Sequence, residues 1–229
     1  MKLGLAAAAL ILCLTAASGC AAGSQTPAAP PAESAAVSAA SQPGEEAHSP
    51  LEENYADAAA LSVSDSGFAP QVSCQDRLLL TEDPPANGLE ETVYRFYLYN
   101  VTSRFDEQQA LTGPEESFAL AVRNEQTAWE SGRYIQEYRI HDLSTLTAQE
   151  VEKASGFAKE DLLEQIDRFG WEEYAIVRVD LSWKYNEAAL LAGPQLGDGR
   201  YQRYYLLART SETEPFCICQ VYWEDFLPA

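Results

Sequence analysis

The stretch Ala175-Ile176-Val177-Arg178-Val179-Asp180-Leu181-Ser182-Trp183-Lys184-Tyr185 decides the fold class of this chain. Ala175, Val177, Val179, Leu181, Trp183 and Tyr185 are apolar or aromatic, and Arg178, Asp180, Ser182 and Lys184 stand between them. Side chains alternate across a strand with a period of two, so one face is apolar and the other charged. A strand of an antiparallel sheet reads this way when it is covered on one side only.

Working outward, Gly193-Pro194 and Gly197-Asp198-Gly199 form a turn-rich loop that leads to a strand over about residues 201–210. A tighter turn at 211–215 precedes a last strand over about 216–226. Upstream, Tyr134, Gln136, Tyr138 and Ile140 oppose Ile135, Glu137, Arg139 and His141, again with a period of two. Thr147-Ala148-Gln149-Glu150 has capping-box spacing, and Leu162, Leu163, Ile166 and Phe169 form a helical stripe that Gly170 ends. Earlier still, Leu89, Val93, Phe96, Tyr97, Val101 and Phe105 recur every three or four residues, predicting one amphipathic helix of about five turns. Pro114 suits the first position of a second helix, whose face of Phe118, Ala121, Val122 and Trp129 runs to Gly132. Residues 71–81, with Val72, Cys74 and Leu78 to Leu80, read as a short strand or an ordered arm.

The order is helix, helix, strand, helical segment and three strands (α-α-β-α-β-β-β), an α+β pattern rather than alternating βαβ units. A single α+β domain is expected over residues 61–229, with its core at about 89–226. Over about Leu89 to Phe226 this pattern resembles the nuclear transport factor 2-like (cystatin-like) superfamily, whose curved antiparallel sheet wraps an N-terminal helix into a cone. Residues 174–184, 199–210 and 216–223 look like its terminal three-strand meander, and the whole is similar to small exported lipoproteins of that superfamily. The resemblance lies in element order, with no diagnostic motif. It implies that Phe96, Tyr97, Tyr138, Val179, Trp183 and Tyr205 line any cavity in the cone; the same spacings also serve plain packing.

Enzymes of that superfamily, such as isomerases and dehydratases, place an acid, histidine or tyrosine inside the cone. Here Asp180 is on the opposite face from Val179 and Trp183, which counts against a proton-transfer pair on that strand. An enzymatic reading therefore requires a cavity with at least two converging polar groups, one of them a carboxylate or His141. His141 is the only histidine outside the N-terminal stretch that holds His48, and there is no Gly-x-Ser-x-Gly elbow for a hydrolase. Phosphate-loop and dinucleotide fingerprints are missing, and Asp198 lacks the oxygen-ligand series of a calcium loop. Catalytic residues, metal ligands and cofactors are accordingly expected to be none. Asn100-Val101-Thr102 has the form of a glycosylation sequon but falls mid-helix. Cys217 and Cys219 stand two apart on one strand, poorly placed to bond each other, so a disulfide would join Cys74 to Cys217 or Cys219; free thiols are the alternative.

At the N-terminus, Lys2 is followed by an apolar run through Leu14 that breaks at Ser18-Gly19. This is shorter than the roughly 20 residues of a spanning helix, and reads as a signal peptide over residues 1–19. Ala17-Ser18-Gly19-Cys20 resembles the lipobox of bacterial lipoproteins, with Ala17 where leucine is commonest, and implies a lipid on Cys20. Residues 20–60 are rich in Ala, Ser, Pro and Glu, too poor in apolar surface to order themselves, and so predict a flexible tether. Such a chain would hold the domain on the order of 30 to 40 Å from a bilayer.

The net charge of −20 includes Lys2, and no Lys or Arg follows until Arg77. That is the opposite of a polybasic membrane-binding or nucleic-acid-binding chain. Taken together, the sequence predicts a lipid-anchored protein on the extracytoplasmic face of a cell membrane. Its domain is expected to bind a small molecule, a peptide or an envelope protein. The alternatives are an isomerase, dehydratase or hydrolase of the cone type, or the solute-binding component of a transporter. Metabolic labelling with a radioactive fatty acid is expected to mark the chain and to fail on Cys20→Ala; label that persists in the variant would refute the anchor.

Overall fold

The computed structural model describes residues 49–64 and 67–227. Cys20, the expected signal peptide and the expected tether through residue 48 lie outside the described residues. Contacts divide the chain into Met1–Glu45 and Glu46–Ala229, and every described element belongs to the second unit. No helix among the described residues is long and apolar enough to cross a membrane.

In chain order the elements are α1 (Pro50–Glu53), a single 3-10 turn (Ala58–Ala60), β1 (Gln71–Cys74), β2 (Arg77–Thr81), α2 (Gly88–Val101), α3 (Phe105–Ala110), α4 (Glu116–Glu130) and β3 (Ile135–Thr145). They continue with α5 (Ala148–Val151), α6 (Gly156–Phe169), β4 (Glu173–Tyr185), α7 (Glu187–Leu191), β5 (Gly199–Arg209) and β6 (Cys217–Tyr222). The α+β class expected from the sequence is thus observed. Its order is fuller than expected: a hairpin, β1–β2, stands before the helices. The six strands form one sheet in sequence order, with β2 and β3 parallel and every other pair antiparallel. The parallel pair arises because β2 returns to the sheet through three helices rather than a tight turn.

β4 is buried on alternate positions from Val177 to Trp183, as its sequence predicts, but residues 174–177 are buried without a break. There the sheet is covered on both faces. On the first face α2 lays Leu89, Val93, Phe96, Tyr97 and Val101 against Tyr138, Ile140, Val177, Val179, Leu181 and Leu207. On the second, Leu51 and α5–α6 (Val151, Ala158, Leu162) cover Tyr174, Ile176, Tyr204, Leu206 and Phe226. Beyond Arg178 the second face is open and carries paired charges: Arg178 with Asp142 at 3.3 Å, Lys184 with Glu137 at 3.3 Å, and Arg200 gripping Asp180 with two bonds of 2.8 and 2.6 Å.

Several local expectations hold in detail. Thr147 and Glu150 form the capping box, and α6 ends on Gly170 in the left-handed region at φ 59°. Others are corrected. The helix expected to run through Phe105 stops at Val101, because Ser103 takes a left-handed φ of 59° and α3 starts afresh at Phe105. α4 begins at Glu116, two residues past Pro114, since the Glu115 carboxylate accepts from the Ser117 amide and caps it there. The last strand ends at Tyr222, and a turn closed by Phe226 N–H to Trp223 O at 3.0 Å tucks the Phe226 ring against Tyr204 and Tyr222.

The domain also begins earlier than residue 61. Leu51 is fully buried and its carbonyl accepts from the Tyr174 hydroxyl. Tyr55 stands edge-on to Tyr174 at 5.2 Å, donates to Leu146 O at 2.7 Å and accepts from Ile176 N–H at 3.1 Å. Asn54 and Ala56 exchange backbone bonds of 3.0 and 2.8 Å with Tyr174, taking the place beside β4 that β3 vacates after Thr145. Leu51→Ala is expected to cost about 3 kcal/mol in urea unfolding, and a chain starting at Leu61 should unfold at lower urea than one starting at Ser49. Equal midpoints would place residues 49–60 outside the cooperative unit.

Candidate functional site

α4 has only two buried side chains, Phe118 and Val122, in its 15 residues. It lies over the first face of the sheet where α2 no longer reaches, and a cleft is left between them. One cavity of about 250 Å³ is walled by Phe96, Tyr97 and Phe118 from the helices and by Tyr138, Leu181, Trp183, Arg203 and Tyr205 from the strands. A second, of about 360 Å³, extends along the other side of α4 to Arg77, Trp129, Arg133 and Tyr134. The two share Asn100, Ala121, Glu125, Ile135, Tyr138 and Tyr185 in their walls.

Five of the six residues expected to line a cavity do so: Phe96, Tyr97, Tyr138, Trp183 and Tyr205. Val179 does not; it is fully buried in the core under α2. Tyr94 lies away from the cleft, its hydroxyl 3.2 Å from the backbone of Ala69. The walls are tightly organised. Phe96 stacks on Phe118 at 5.7 Å, and the Tyr97 and Tyr205 hydroxyls meet at 2.6 Å. Trp183 stacks on Tyr201 at 4.1 Å and donates from Nε1 to Gly197 O at 3.0 Å.

The polar groups of the cleft were not singled out by the sequence pattern. Arg77, 3% exposed, gives its guanidinium to the backbone and side-chain oxygens of Asn100 and to Ile135 O at 3.3 Å, and lies over the rings of Trp129 and Tyr134. Asn100 passes a bond of 2.8 Å from Nδ2 to Oε2 of Glu125, which Gln108 also reaches at 3.2 Å. This chain ties the start of β2, the end of α2, α3 and α4 together. Glu125 opens to solvent through the cleft, yet protein crowds its carboxylate, and that burial raises its pKa against the pull of Gln108, Arg77, Asn100 and Arg203. Burial also lifts the phenols: Tyr97 and Tyr138 well above the ordinary range, Tyr205 to about 12. At neutral pH they are hydrogen-bond donors and not bases.

Arg203 differs from Arg77. Its Nε is buried with no hydrogen-bond partner, and no carboxylate among the described residues pairs with it. The side chain is half-buried, with its guanidinium 5.1 Å from the centre of Trp183 and 3.0 Å from that of Trp223. Both missed charges carry a signal in the sequence. Arg203 is in phase with Tyr201, Tyr205 and Leu207 on the covered face of β5, and Glu125 is in phase with Phe118, Val122 and Trp129 on α4.

His141 lies on the opposite, open face. Its Nε2 is 3.0 Å from Ser182 Oγ and its Nδ1 2.8 Å from Glu82 Oε1, the order of a hydroxyl, a base and an acid. Ser182 sits mid-strand, however, between Arg139 and Arg200 in the ladder, so no free backbone N–H is offered to an oxyanion. Asp198 accepts from the Tyr185 amide at 2.8 Å and Asn100 is 3% exposed, so both serve the fold.

Cys74, Cys217 and Cys219 are free thiols. The bridge from Cys74 to Cys217 or Cys219 is not formed, because the first lies on β1 and the others on β6, the two edges of the sheet. Five inter-strand steps amount to about 24 Å along the sheet, far beyond a disulfide's reach. Among the described residues no group of three or more His, Cys, Asp or Glu side chains is placed to hold a metal ion. Compared with protein-family models, with curated proteins and with solved structures, the chain finds no match.

Proposed function

We propose that the protein is a lipid-anchored envelope protein whose domain binds a small molecule in the cleft beneath α4, on a fold of the nuclear transport factor 2-like kind. The anchor rests on the lipobox-like Ala17-Ser18-Gly19-Cys20 and the signal-peptide pattern before it. The fold assignment is supported by α2 lying on one face of the consecutive strands β3 to β6.

The observation that carries the binding reading is Arg203. A buried donor without a partner, as the Arg203 Nε is, costs about 1–3 kcal/mol. A residue that only filled space there would be apolar. The cost is offset when a ligand supplies the acceptor, which is how binding sites come to hold groups that destabilise the empty protein. In the ligand-free protein Arg203→Met keeps the stacked volume and removes the unpaired donor. It is expected to raise stability by about 1 kcal/mol, or about 2–4 °C in the thermal midpoint. A lowered midpoint would make Arg203 a structural cation and remove the main support for a site.

A second reading, proton transfer on a bound substrate, is favoured by the company Glu125 keeps. The cleft holds a carboxylate with a raised pKa beside the Tyr97–Tyr205 hydroxyl pair, which meets the requirement of two converging polar groups. Glu125 is positioned by Asn100 and Gln108 through Oε2, which leaves Oε1 for a ligand. Binding without turnover predicts that a ligand recovered from the protein in heavy water carries no carbon-bound deuterium. Deuterium that disappears with Glu125→Gln would establish an isomerase or dehydratase instead.

A further inference from the structure

Across the whole chain acidic residues outnumber basic ones by 35 to 15, and the cleft reverses that balance. Arg77, Arg133 and Arg203 face into it, against the single carboxylate of Glu125. The Arg77 guanidinium is hydrogen-bonded only to the neutral oxygens of Asn100 and Ile135, with Glu125 within electrostatic reach. Arg203 forms no ion pair: its Nε is unpartnered and its guanidinium lies against ring faces, with Glu125 within electrostatic reach. The one carboxylate is engaged through Oε2 by Asn100 and Gln108. A concave site lined by more positive than negative groups focuses a positive potential on what enters it.

The walls set the rest of the ligand. Phe96, Tyr97, Tyr138, Trp183 and Tyr205 offer aromatic surface around the first cavity, whose size of about 250 Å³ suits a ligand with a ring or two. Aromatic walls by themselves would also suit a cation. Here the faces of Trp183 and Trp223 are already taken by Arg203, which would repel a second positive charge.

We propose that the cleft takes an organic anion, with a planar apolar body between the aromatic walls and its carboxylate, sulfonate or phosphate on the Arg203 guanidinium. This rests on the reading of the cleft as a binding site. An acid group of this kind supplies two acceptor oxygens, which a guanidinium meets in a forked pair that no neutral acceptor matches.

The test uses the unlipidated chain carrying Cys20→Ala and two fluorescent probes of one skeleton, 1-anilinonaphthalene-8-sulfonate and its uncharged parent N-phenyl-1-naphthylamine. The sulfonate is expected to bind at least about tenfold more tightly than the parent, as one charged hydrogen-bonded contact implies. Arg203→Gln should erase that margin, lowering the sulfonate's affinity to that of the parent in the same variant; a margin that persists would overturn the assignment to Arg203. Ala121→Trp, which fills the space shared by the two cavities, should abolish both. If both probes bind equally and both are lost in Ala121→Trp, the cleft is a binding site and the anion preference is wrong. If neither binds, or binding survives Ala121→Trp, the cleft reading and the anion preference fall together.

Discussion

The cleft follows from a mismatch of lengths. α2 has 14 residues and spans about 21 Å, whereas β4 has 13 and spans about 43 Å. A helix that packs on a strand twice its length leaves sheet uncovered, and the exposed aromatic face must be covered by something else. α4 does so, but with two buried side chains in 15 residues it covers without filling. Trp183 and Tyr205, at the edge of the core, and Tyr185 and Arg203 beside them therefore serve as cavity walls.

The same shortfall explains why the polar groups gather where they do. α2 ends over the sheet, and its last carbonyls need partners there. Arg77 donates to the Asn100 carbonyl and to its side-chain oxygen, and the Asn100 amide then fixes Glu125 on α4. The bonds that close a helix end thus also aim the one carboxylate of the cleft. At the other end of α2 the accounting is different. Asn87 caps the helix, and Glu90, 4% exposed, accepts from the Thr145 amide at 2.9 Å and the Ala86 amide at 2.7 Å, locking the start of α2 to the end of β3. The helix is rigidly held at the end far from the cleft and held through a polar relay at the end that borders it.

Elements whose local signals agree were legible in the sequence: the alternation of β4, the capping box at Thr147 and the left-handed Gly170. Boundaries set by tertiary contact were not. Nothing local in Leu51 shows that Tyr174 will need a cover, and nothing local in residues 77–81 shows that they will pair in parallel with a strand more than 50 residues away. The aromatic walls of the cleft could be named in advance because aromatic side chains in phase with a core mark its direction. Arg203 and Glu125 were in the same phase, but a charge in an apolar row reads as noise until the space beside it is known to be empty. The cysteines show the limit of spacing as a guide, since only the strand order reveals that Cys74 and Cys219 are on opposite edges.

The entry of the chain into the domain has a mechanical consequence. Tension arriving from the N-terminal side loads Ser49 first and then Leu51, whose carbonyl is held by Tyr174 in the middle of the sheet. That grip lies on the second face, under α5 and α6, whereas the cleft opens on the first. Load entering at Ser49 is therefore taken up by the backbone bonds between residues 54–56 and β4. It is borne on one face of the sheet while the cleft lies on the other.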